Sequence, residues 1–336
     1  MFNKRFVASL AAACGLGIAA TTFAAGQAMT QQPQGQGAFE FALIGDTPYG
    51  SIEKFENLLD AINADNQVRF VLHSGDIKTG SSFCSDELFW DRYARFQRFE
   101  APFVLTPGDN EWTDCHRVAA GEYVPLERLD ALRAIFYPVP GQTLGQHPMT
   151  VESQASDPQY GEFVENVRWT TQNVVFATLH IVGSHNGLSA FDANGSVVRT
   201  PADDAEVVRR IAATVAWIDG TYAMAEAQGA RGVLFLFQAN PNFEDAPGAS
   251  SREGFDEVIA AMVDGAVAFD RPVVLAHGDS HYMRLDKPVR SGGVAVPNIT
   301  RVENFGSGDY HWLRVVVDPN SAEVFSVHQE IVEANK

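Results

Sequence analysis

Aspartate residues stand at the ends of four apolar segments, and these acids are the side chains best suited to metal chemistry. Asp46, Asp76 and Asp109 follow the first three segments at intervals of 30 and 33 residues, and Asp279-Ser280-His281 follows the fourth. A single aspartate in such a place more commonly caps a helix or a turn. Several carboxylates gathered together repel one another strongly unless cations neutralise them. The repeated pattern therefore predicts a metal site.

The segments that carry these acids alternate with stretches of helical periodicity, which is typical of parallel βαβ units. We predict strands at residues 39–45, 69–74, 102–106, 174–182, 232–237 and 272–276, and helices at 52–64, 89–99, 203–228 and 255–267. Ligands bind beyond the carboxyl ends of strands in such sheets, so the acids should converge at one edge. Two further patterns predict an antiparallel edge pair at 312–318 and 323–328 and a Gly-, Pro- and Gln-rich insertion over the site at 138–166.

Composition limits the class of protein and the class of partner. The chain has 336 residues, 46% of them hydrophobic, which is enough for one large domain with its own core. Its formal net charge of −18 argues against nucleic acid and anionic membranes as partners, because both require basic patches. A phosphate-bearing substrate is still compatible, since bound cations can reverse the local potential. We expect a monomer.

The amino terminus carries the pattern of an export signal. Lys4 and Arg5 precede a short apolar stretch rich in Ala and Gly, and small residues follow it, so residues 1–25 predict a secretory signal peptide. A membrane anchor is the alternative, which the shortness of the stretch disfavours. Residues 26–37 predict a flexible lead-in and residues 38–334 a single domain, with no membrane span in the mature chain. We therefore expect a periplasmic or secreted protein.

Two cysteines stay in the chain once the signal is removed. Cys84 and Cys115 lie in polar loops, and two thiols in an oxidising compartment predict one disulfide. A zinc site is disfavoured because Cys84 has no His or Cys partner at short spacing.

The motifs in this order resemble the calcineurin-like metallophosphoesterases. That family carries Asp-x-His, Gly-Asp, Gly-Asn-His-Asp/Glu, a lone His after a strand, and Gly-His-x-His. The matching segments, between about residues 40 and 285, are Gly45-Asp46-Thr47-Pro48, Gly75-Asp76, Gly108-Asp109-Asn110-Glu111, Phe237-Gln238 and Gly278-Asp279-Ser280-His281. The resemblance implies an α/β fold of the metallo-dependent phosphatase type, a four-layer αββα sandwich.

The resemblance also implies two divalent metal ions, with ligands that depart from the family. Pro48, Gln238 and Asp279 replace three histidines. Carried over position by position, one ion would contact Asp46, Asp76 and His281, and the other would contact Asp76, Asp109, Asp279 and Gln238. Oxygen ligands favour Mn²⁺, Mg²⁺ or Ca²⁺, and Fe and Zn are the alternatives.

The family's proton donor is a histidine at the position of Asn110, and asparagine can donate a hydrogen bond but no proton. Asn110 is thus a candidate for holding the phosphate. The candidates for the missing acid are His185, His116 and Tyr49, and a surface-loop role for His185 is equally compatible with the sequence. The substrate-binding candidates share a place in loops beside the motifs and are Tyr49, Lys78, Asn110, Arg117 and Asn186. Solvated loop cations are the alternative for Lys78 and Arg117. His73 and His277 are interpreted as supporting residues.

The sequence thus predicts an exported, metal-dependent hydrolase, a phosphatase or phosphodiesterase that acts on a small phosphate ester through activated water. A hydrolase of another ester or anhydride is a rival on the same scaffold. A catalytically degenerate, metal-binding member is the second rival, which the missing proton donor favours and the conserved set of carboxylates disfavours.

Overall fold

Two β-sheets carry the strands that end in the site aspartates. A computed structural model describes residues 37–336, so the predicted signal peptide and nearly all of the lead-in lie outside the described residues. The strands are β1 (Phe39–Ile44), β2 (Val68–His73), β3 (Phe103–Leu105), β4 (Glu152–Ser153), β5 (Val167–Thr171), β6 (Val174–Thr178), β7 (Gly232–Leu236), β8 (Val273–His277), β9 (Arg284–Asp286), β10 (Arg290–Ser291), β11 (Val294–Ala295), β12 (Ile299–Glu303), β13 (Trp312–Val317) and β14 (Phe325–Glu330). The main helices are α1 (Ile52–Asn63), α2 (Asp86–Phe96), α3 (Pro125–Phe136), α4 (Pro201–Gln228) and α5 (Asp256–Phe269).

The first sheet has the order β14-β13-β1-β2-β3, and the second has the order β4-β5-β6-β7-β8-β12-β9. Strands β1 to β3 are parallel, as are β6, β7, β8 and β12. Strands β13 and β14 form the antiparallel pair expected at the edge of the first sheet. The parallel strands direct their carboxyl ends to one edge of each sheet, where the site lies.

The two sheets pack face to face through large apolar side chains. Phe41 and Phe70 of the first sheet meet Phe176 of the second, with ring centroids 5.7 and 5.3 Å apart. Helices α1 to α3 cover the outer face of the first sheet, and α4 and α5 cover that of the second. The predicted four-layer αββα sandwich is confirmed.

Helix boundaries follow from capping residues. The side chain of Ser51 accepts a hydrogen bond from the Lys54 amide at the start of α1. Thr200 and Asp203 form a reciprocal capping box at the start of α4, and Pro201 is the first residue of that helix. These local signals fix where α1 and α4 begin, and so they fix the lengths of the loops that precede these two helices. No helix within residues 37–336 combines the length and apolar character needed to cross a bilayer.

Two expectations about loops need correction. Residues 179–182 do not continue strand β6, which ends at Thr178; the chain instead turns sharply at Gly183–Asn186, where Ser184, His185 and Asn186 have φ of 52°, 56° and 53°. Residues 138–166 do not lie over the site. Leu144 pairs with Phe103 at the amino end of β3, opposite to the end that carries the site. Several other backbone hydrogen bonds of this stretch are internal, such as those from Thr143 to Met149 and from Val151 to Gly141.

The predicted disulfide is confirmed. Cys84 and Cys115 are bonded with Cα atoms 5.8 Å apart, and both sulfurs lie 3.6 Å from the carbonyl oxygen of Asn110. The bridge therefore ties the loop after β2 to the loop after β3, directly beneath one of the site residues.

Candidate metal centre

Three metal-ligating side chains converge where the two sheets present their carboxyl ends. Asp46 follows β1, Asp76 follows β2, and His281 follows β8 of the other sheet. One ligand atom from each lies within 4.8 Å of the other two. Both carboxylates are buried, whereas the His281 side chain is 37% exposed. The group therefore opens to solvent on the histidine side.

Four residues of the turns that carry the site have a left-handed backbone, which residues other than glycine rarely adopt. Asp46, Asp76, Asp279 and His281 have φ of 52°, 57°, 82° and 65°. Left-handed backbone is uncommon outside glycine and asparagine and collects at functional sites. A Cβ atom at Gly278 would overlap the Asp46 carboxylate. A glycine is therefore required before Asp279, because the turn at Gly278 and the turn at Asp46 approach too closely for a side chain.

Asp46 accepts hydrogen bonds from the second sheet. The Asp279 amide lies 3.1 and 3.2 Å from its two oxygens, and Asn304 Nδ2 donates to Oδ2 at 3.2 Å. His281 Nε2 lies 3.6 Å from Oδ1. These neutral donors orient the carboxylate but leave most of its charge uncompensated.

Asp76 is held by two residues of the predicted substrate set. Tyr49 donates its hydroxyl proton to Oδ2 at 2.6 Å, and Asn110 Nδ2 donates to the same oxygen at 2.8 Å. The Asn110 amide lies 3.2 Å from Oδ1. Glu111 accepts from the amides of Asp76 and Gly108 at 3.1 and 2.6 Å, so it joins the two motif turns rather than facing the site.

The remaining predicted ligands lie beside Asp109. Gln238 Nε2 donates to Oδ1 at 3.2 Å, and Ser184 Oγ donates to Oδ2 at 2.9 Å. Asp279 Oδ2 accepts from the Asn240 amide at 2.8 Å. Gln238, predicted as a ligand through its carbonyl oxygen, has that oxygen bonded to the Gly183 amide at 2.6 Å. In this structure Gln238 therefore contacts Asp109 as a donor, and its role as a metal ligand stays a prediction.

Burial controls the electrostatics of the cluster. Burial and the Asp279 carboxylate raise the pKa of Asp46 well above its usual range, and burial together with Asp109 does the same for Asp76. Burial, reinforced by Asp109, raises the pKa of Asp279 to about 7 and that of Asp114 to about 8. Such shifts report negative charge that lacks compensating positive charge among its neighbours.

The donor set fits divalent cations. Asp46, Asp76 and His281 offer two buried carboxylates and one imidazole, and their raised carboxylate pKa values show that the chain itself does not neutralise them. A cation is the neutralising partner that such a cluster lacks. Oxygen-rich sets suit Mn²⁺, Mg²⁺ and Ca²⁺.

Two neighbouring histidines are neutral supports, as interpreted from the sequence. Burial lowers the pKa of His73 to about 4 and that of His277 to about 3. The Gly75 amide donates to His73 Nδ1 at 3.1 Å, so Nε2 carries the proton and donates to the Thr47 carbonyl at 2.7 Å. His73 therefore joins the turns that carry Asp46 and Asp76.

Of the three candidates for the missing acid, Tyr49 is the one bonded to the cluster. Burial raises the pKa of its hydroxyl far above the usual value, so the group keeps its proton. The His116 ring stacks on Phe191 at 4.1 Å. The described charged contact of His185 is Glu253, 3.8 Å away. The described contacts therefore give neither histidine a link to the carboxylates.

The other substrate-binding candidates differ in their burial and in their hydrogen-bond partners. Lys78 is fully buried and donates to the carbonyls of Asn110 and Thr79 at 2.7 and 2.8 Å, so its ammonium supports a loop instead of facing substrate. Asn186 is also buried and donates to the Gly254 carbonyl at 2.9 Å. The Arg117 side chain is 38% exposed. The substrate-binding roles of both residues stay predictions.

Sequence reasoning missed three residues of the site. Ser184 Oγ lies 2.9 Å from Asp109 Oδ2 and 2.8 Å from Asp114 Oδ1, so its single proton is donated to one of them at a time. Asp114 in turn pairs with Arg117 Nη2 at 2.6 Å. Asn304 follows β12, and its position after a strand was the one signal that could have found it. Nothing in the local sequence marks Ser184, because its partners lie on another loop, whereas the three-residue spacing of Asp114 and Arg117 is a local signal for their ion pair.

Comparisons with known proteins concern the family and the fold of the chain. The sequence profile of the calcineurin-like phosphoesterases matches residues 39–283. The fold is similar to the structure of PhoD, with a TM-score of 0.54 and 14% identity, over 88% of this chain and 70% of that one. It is also similar to the crystal structure of a phosphopantetheinyl hydrolase from Mycobacterium tuberculosis, with a TM-score of 0.38 and 13% identity, over 81% and 91% of the two chains. No curated protein matches the chain in sequence.

Proposed function

Because the chain belongs to the calcineurin-like phosphoesterase family, we propose that it is an exported, metal-dependent hydrolase of phosphoric esters, a phosphatase or phosphodiesterase. The observation that carries the proposal is the convergence of Asp46, Asp76 and His281 within 4.8 Å at the carboxyl ends of strands from both sheets. The disulfide supports export, since such bonds persist in oxidising compartments.

In this proposal two divalent cations occupy the cluster, one at Asp46, Asp76 and His281 and the other beside Asp76, Asp109 and Asp279. When bound, such cations supply an activated water nucleophile and offset charge on the phosphoryl oxygens. The chain's own residues bind and orient the ester. Gln238 stays a predicted ligand of the second cation, through an oxygen that also accepts a hydrogen bond from a backbone amide.

Arg117 is the cation of the chain that supports phosphate binding. Its guanidinium is partly exposed and is held by Asp114 at 2.6 Å, with Ser184 Oγ 3.4 Å away. A guanidinium fixed in this way has further N–H donors free to contact phosphate oxygens. Asn110 directs both N–H groups of its side chain to Tyr49 and Asp76, so it would contact phosphate only by exchanging one of these bonds.

The two candidate functions differ in whether the site can donate a proton to the leaving group. Asn110 cannot give up a proton, and this observation favours the second candidate function, a metal-binding member without turnover. Tyr49 is the one of the three candidate acids that lies in the cluster, and its raised pKa makes it a better donor of a hydrogen bond than of a proton. General acids contribute about 10² to 10⁴ in rate, so the difference is measurable.

The experiment is a series of aryl phosphate monoesters and diesters with leaving groups of rising pKa, assayed with Mn²⁺, Mg²⁺, Ca²⁺ and Zn²⁺. We expect turnover with the hard ions and a rate that falls steeply as the leaving-group pKa rises. A Tyr49→Phe variant should steepen this dependence further if the phenol donates a proton. Absence of turnover on every ester by metal-loaded protein would leave the degenerate alternative.

A further inference from the structure

A cavity of about 460 Å³ opens between the edge strands of the two sheets, β14 of the first and β9 of the second. Its lining includes Pro272 and Val273 at the amino end of β8. Asp279 follows the carboxyl end of the same strand. The cavity therefore lies at the opposite end of the sandwich from the metal centre. Its volume is within the range of small-molecule sites, about 300 to 1,000 Å³.

Both sheets contribute apolar side chains to the lining of this cavity. Val302 comes from the second sheet, and Phe325 and Val327 come from the first. An added Cβ at Gly232 of β7 would lie 2.9 Å from the Phe325 ring, so this ring reaches across to the second sheet and bounds the cavity on the side of the shared core. Leu285, also in the lining, is 48% exposed. An apolar molecule in the cavity would remove these side chains from water, which is favourable.

Lys287 supplies a fixed positive charge to the lining. Its Nζ donates to the Pro297 carbonyl at 2.6 Å and to the Thr300 hydroxyl at 3.1 Å, and both partners also line the cavity. An ammonium has three N–H donors, so one is available to a ligand. Both partners are neutral, and within residues 37–336 no carboxylate pairs with this ammonium. The neighbouring carboxylate of Asp286 is already neutralised, since its two oxygens accept from Arg301 at 2.8 and 2.6 Å.

Glu323 is the competing charge of the cavity, because it lines the side formed by the first sheet and would attract a cation. The two charges differ in how they are held. Two hydrogen bonds hold the Lys287 ammonium against the wall of the cavity, whereas Glu323 is exposed to solvent. A group that is already fixed loses less conformational entropy when it binds a ligand. The cavity therefore favours an anion over a cation.

We propose that this cavity binds a small amphipathic anion, a molecule with one anionic head group on an apolar body. The free N–H of Lys287 contacts the head group, and Val302, Phe325 and Val327 cover the body. This ligand site is separate from the proposed hydrolase activity, and either of the two can fail alone.

The first test is calorimetric titration of the Mn²⁺-loaded full chain with octanoate, octan-1-ol and octylamine at neutral pH. We expect octanoate to bind at one site per chain, at least roughly tenfold more tightly than the alcohol or the amine, because only the anion gains the charged hydrogen bond. Binding of octylamine as tight as that of octanoate would overturn the proposal, and so would absence of octanoate binding at millimolar concentration.

Repeating the octanoate titration after chelator treatment separates this cavity from the metal centre. A carboxylate can also bind to metal ions, but the cavity lies at the other end of the sandwich. The affinity should therefore stay within twofold of that of the Mn²⁺-loaded chain. Loss of octanoate binding on removal of the metal would place the anion at the metal centre and would overturn the proposal.

The second test uses two variants of the lining. Lys287→Met should weaken octanoate binding roughly tenfold and leave octan-1-ol binding unchanged. Lys336→Met is the matched control, since Lys336 is an exposed lysine that pairs with Glu333. Val327→Trp fills part of the cavity and should weaken the binding of both ligands. Equal octanoate affinity in Lys287→Met and Lys336→Met would overturn the proposal. If Val327→Trp fails to fold, the titrations of the unaltered chain and of Lys287→Met still decide it.

Discussion

Two buried carboxylate clusters of the described chain differ in whether neighbouring positive groups neutralise their charge. Glu165 is fully buried, and its oxygens accept from Arg133 at 2.6 and 3.0 Å and from His180 Nδ1 at 2.6 Å. Burial alone would raise its pKa, yet Arg133 and His180 together hold the pKa of Glu165 well below the usual range. This cluster is complete within the chain.

The site cluster is equally buried but has no such partner. The pKa values of Asp46 and Asp76 are raised because burial and other acids outweigh the neutral donors around them. Lys78 is close in the fold, but its ammonium is bonded to backbone carbonyls. The difference teaches that burial by itself does not mark a binding site; a buried charge left without a partner does.

The largest effect should come from Asp76→Ala. We expect the rate of hydrolysis and the affinity for both cations to fall by more than about 100-fold. Replacing a residue that only orients a metal ligand costs up to about 100-fold, so loss of a ligand itself should cost more. Metal analysis and turnover of an activated aryl phosphate measure the two effects. Near-normal turnover by this variant would remove the two-cation reading of the site.

Arg133→Met should break the other cluster without touching the site. It leaves the Glu165 carboxylate buried beside a neutral side chain, and breaking a buried pair in this way costs about 3 to 5 kcal/mol in the free energy of unfolding. Denaturant unfolding measures the cost. Adding Glu165→Gln should recover much of the stability, and Mn²⁺ binding should stay unchanged in both variants. Equal stability of Arg133→Met and the parent chain would contradict the comparison.

Arg117→Ala should have a smaller effect, confined to phosphate binding. A hydrogen bond to a charged group is worth about 1.5 to 3 kcal/mol, so the inhibition constant for inorganic phosphate should rise roughly 10- to 100-fold. Arg98→Ala is the matched control, because Arg98 is half exposed and pairs with Glu56 on the surface. Equal inhibition constants in the two variants would remove Arg117 from the substrate site.

The smallest effect is the pH dependence of the metal-free protein. The raised pKa values of Asp279, about 7, and Asp114, about 8, mean that these two groups bind more protons in the folded than in the unfolded chain between about pH 4 and 8. The lowered pKa values of His73, about 4, and His277, about 3, act oppositely below about pH 6.5. Stability should therefore fall as pH rises from about 6.5 to 8. The lowered pKa of Glu165 acts oppositely, so its contribution is present at neutral pH and is lost in strong acid.

Thermal unfolding of chelator-treated protein between about pH 6.5 and 8.5 measures this dependence. The melting temperature should decrease with pH, and the increase produced by Mn²⁺ should grow with pH as the carboxylates ionise. A metal-free melting temperature that rises across this range would contradict the assignment of uncompensated charge to the site.

The sequence by itself determined eight of the fourteen described strands, the disulfide and the three residues Asp46, Asp76 and His281. The αββα layers were implied by the resemblance of its motifs to a family. The strands depend on local periodicity, and the site residues depend on glycine before an acid and on the order of motifs along the chain, so neither requires knowledge of distant contacts.

Only the tertiary structure decided how the second half of the site is held. Gln238 bonds to Gly183, 55 positions away, and Asn304 bonds to Asp46 across 258 positions. Lys78 turns inward and Asp114 turns toward Ser184 for the same reason. The role of a polar side chain is set by the donors and acceptors that the fold places around it, and for these residues those partners lie on other loops and on the other sheet.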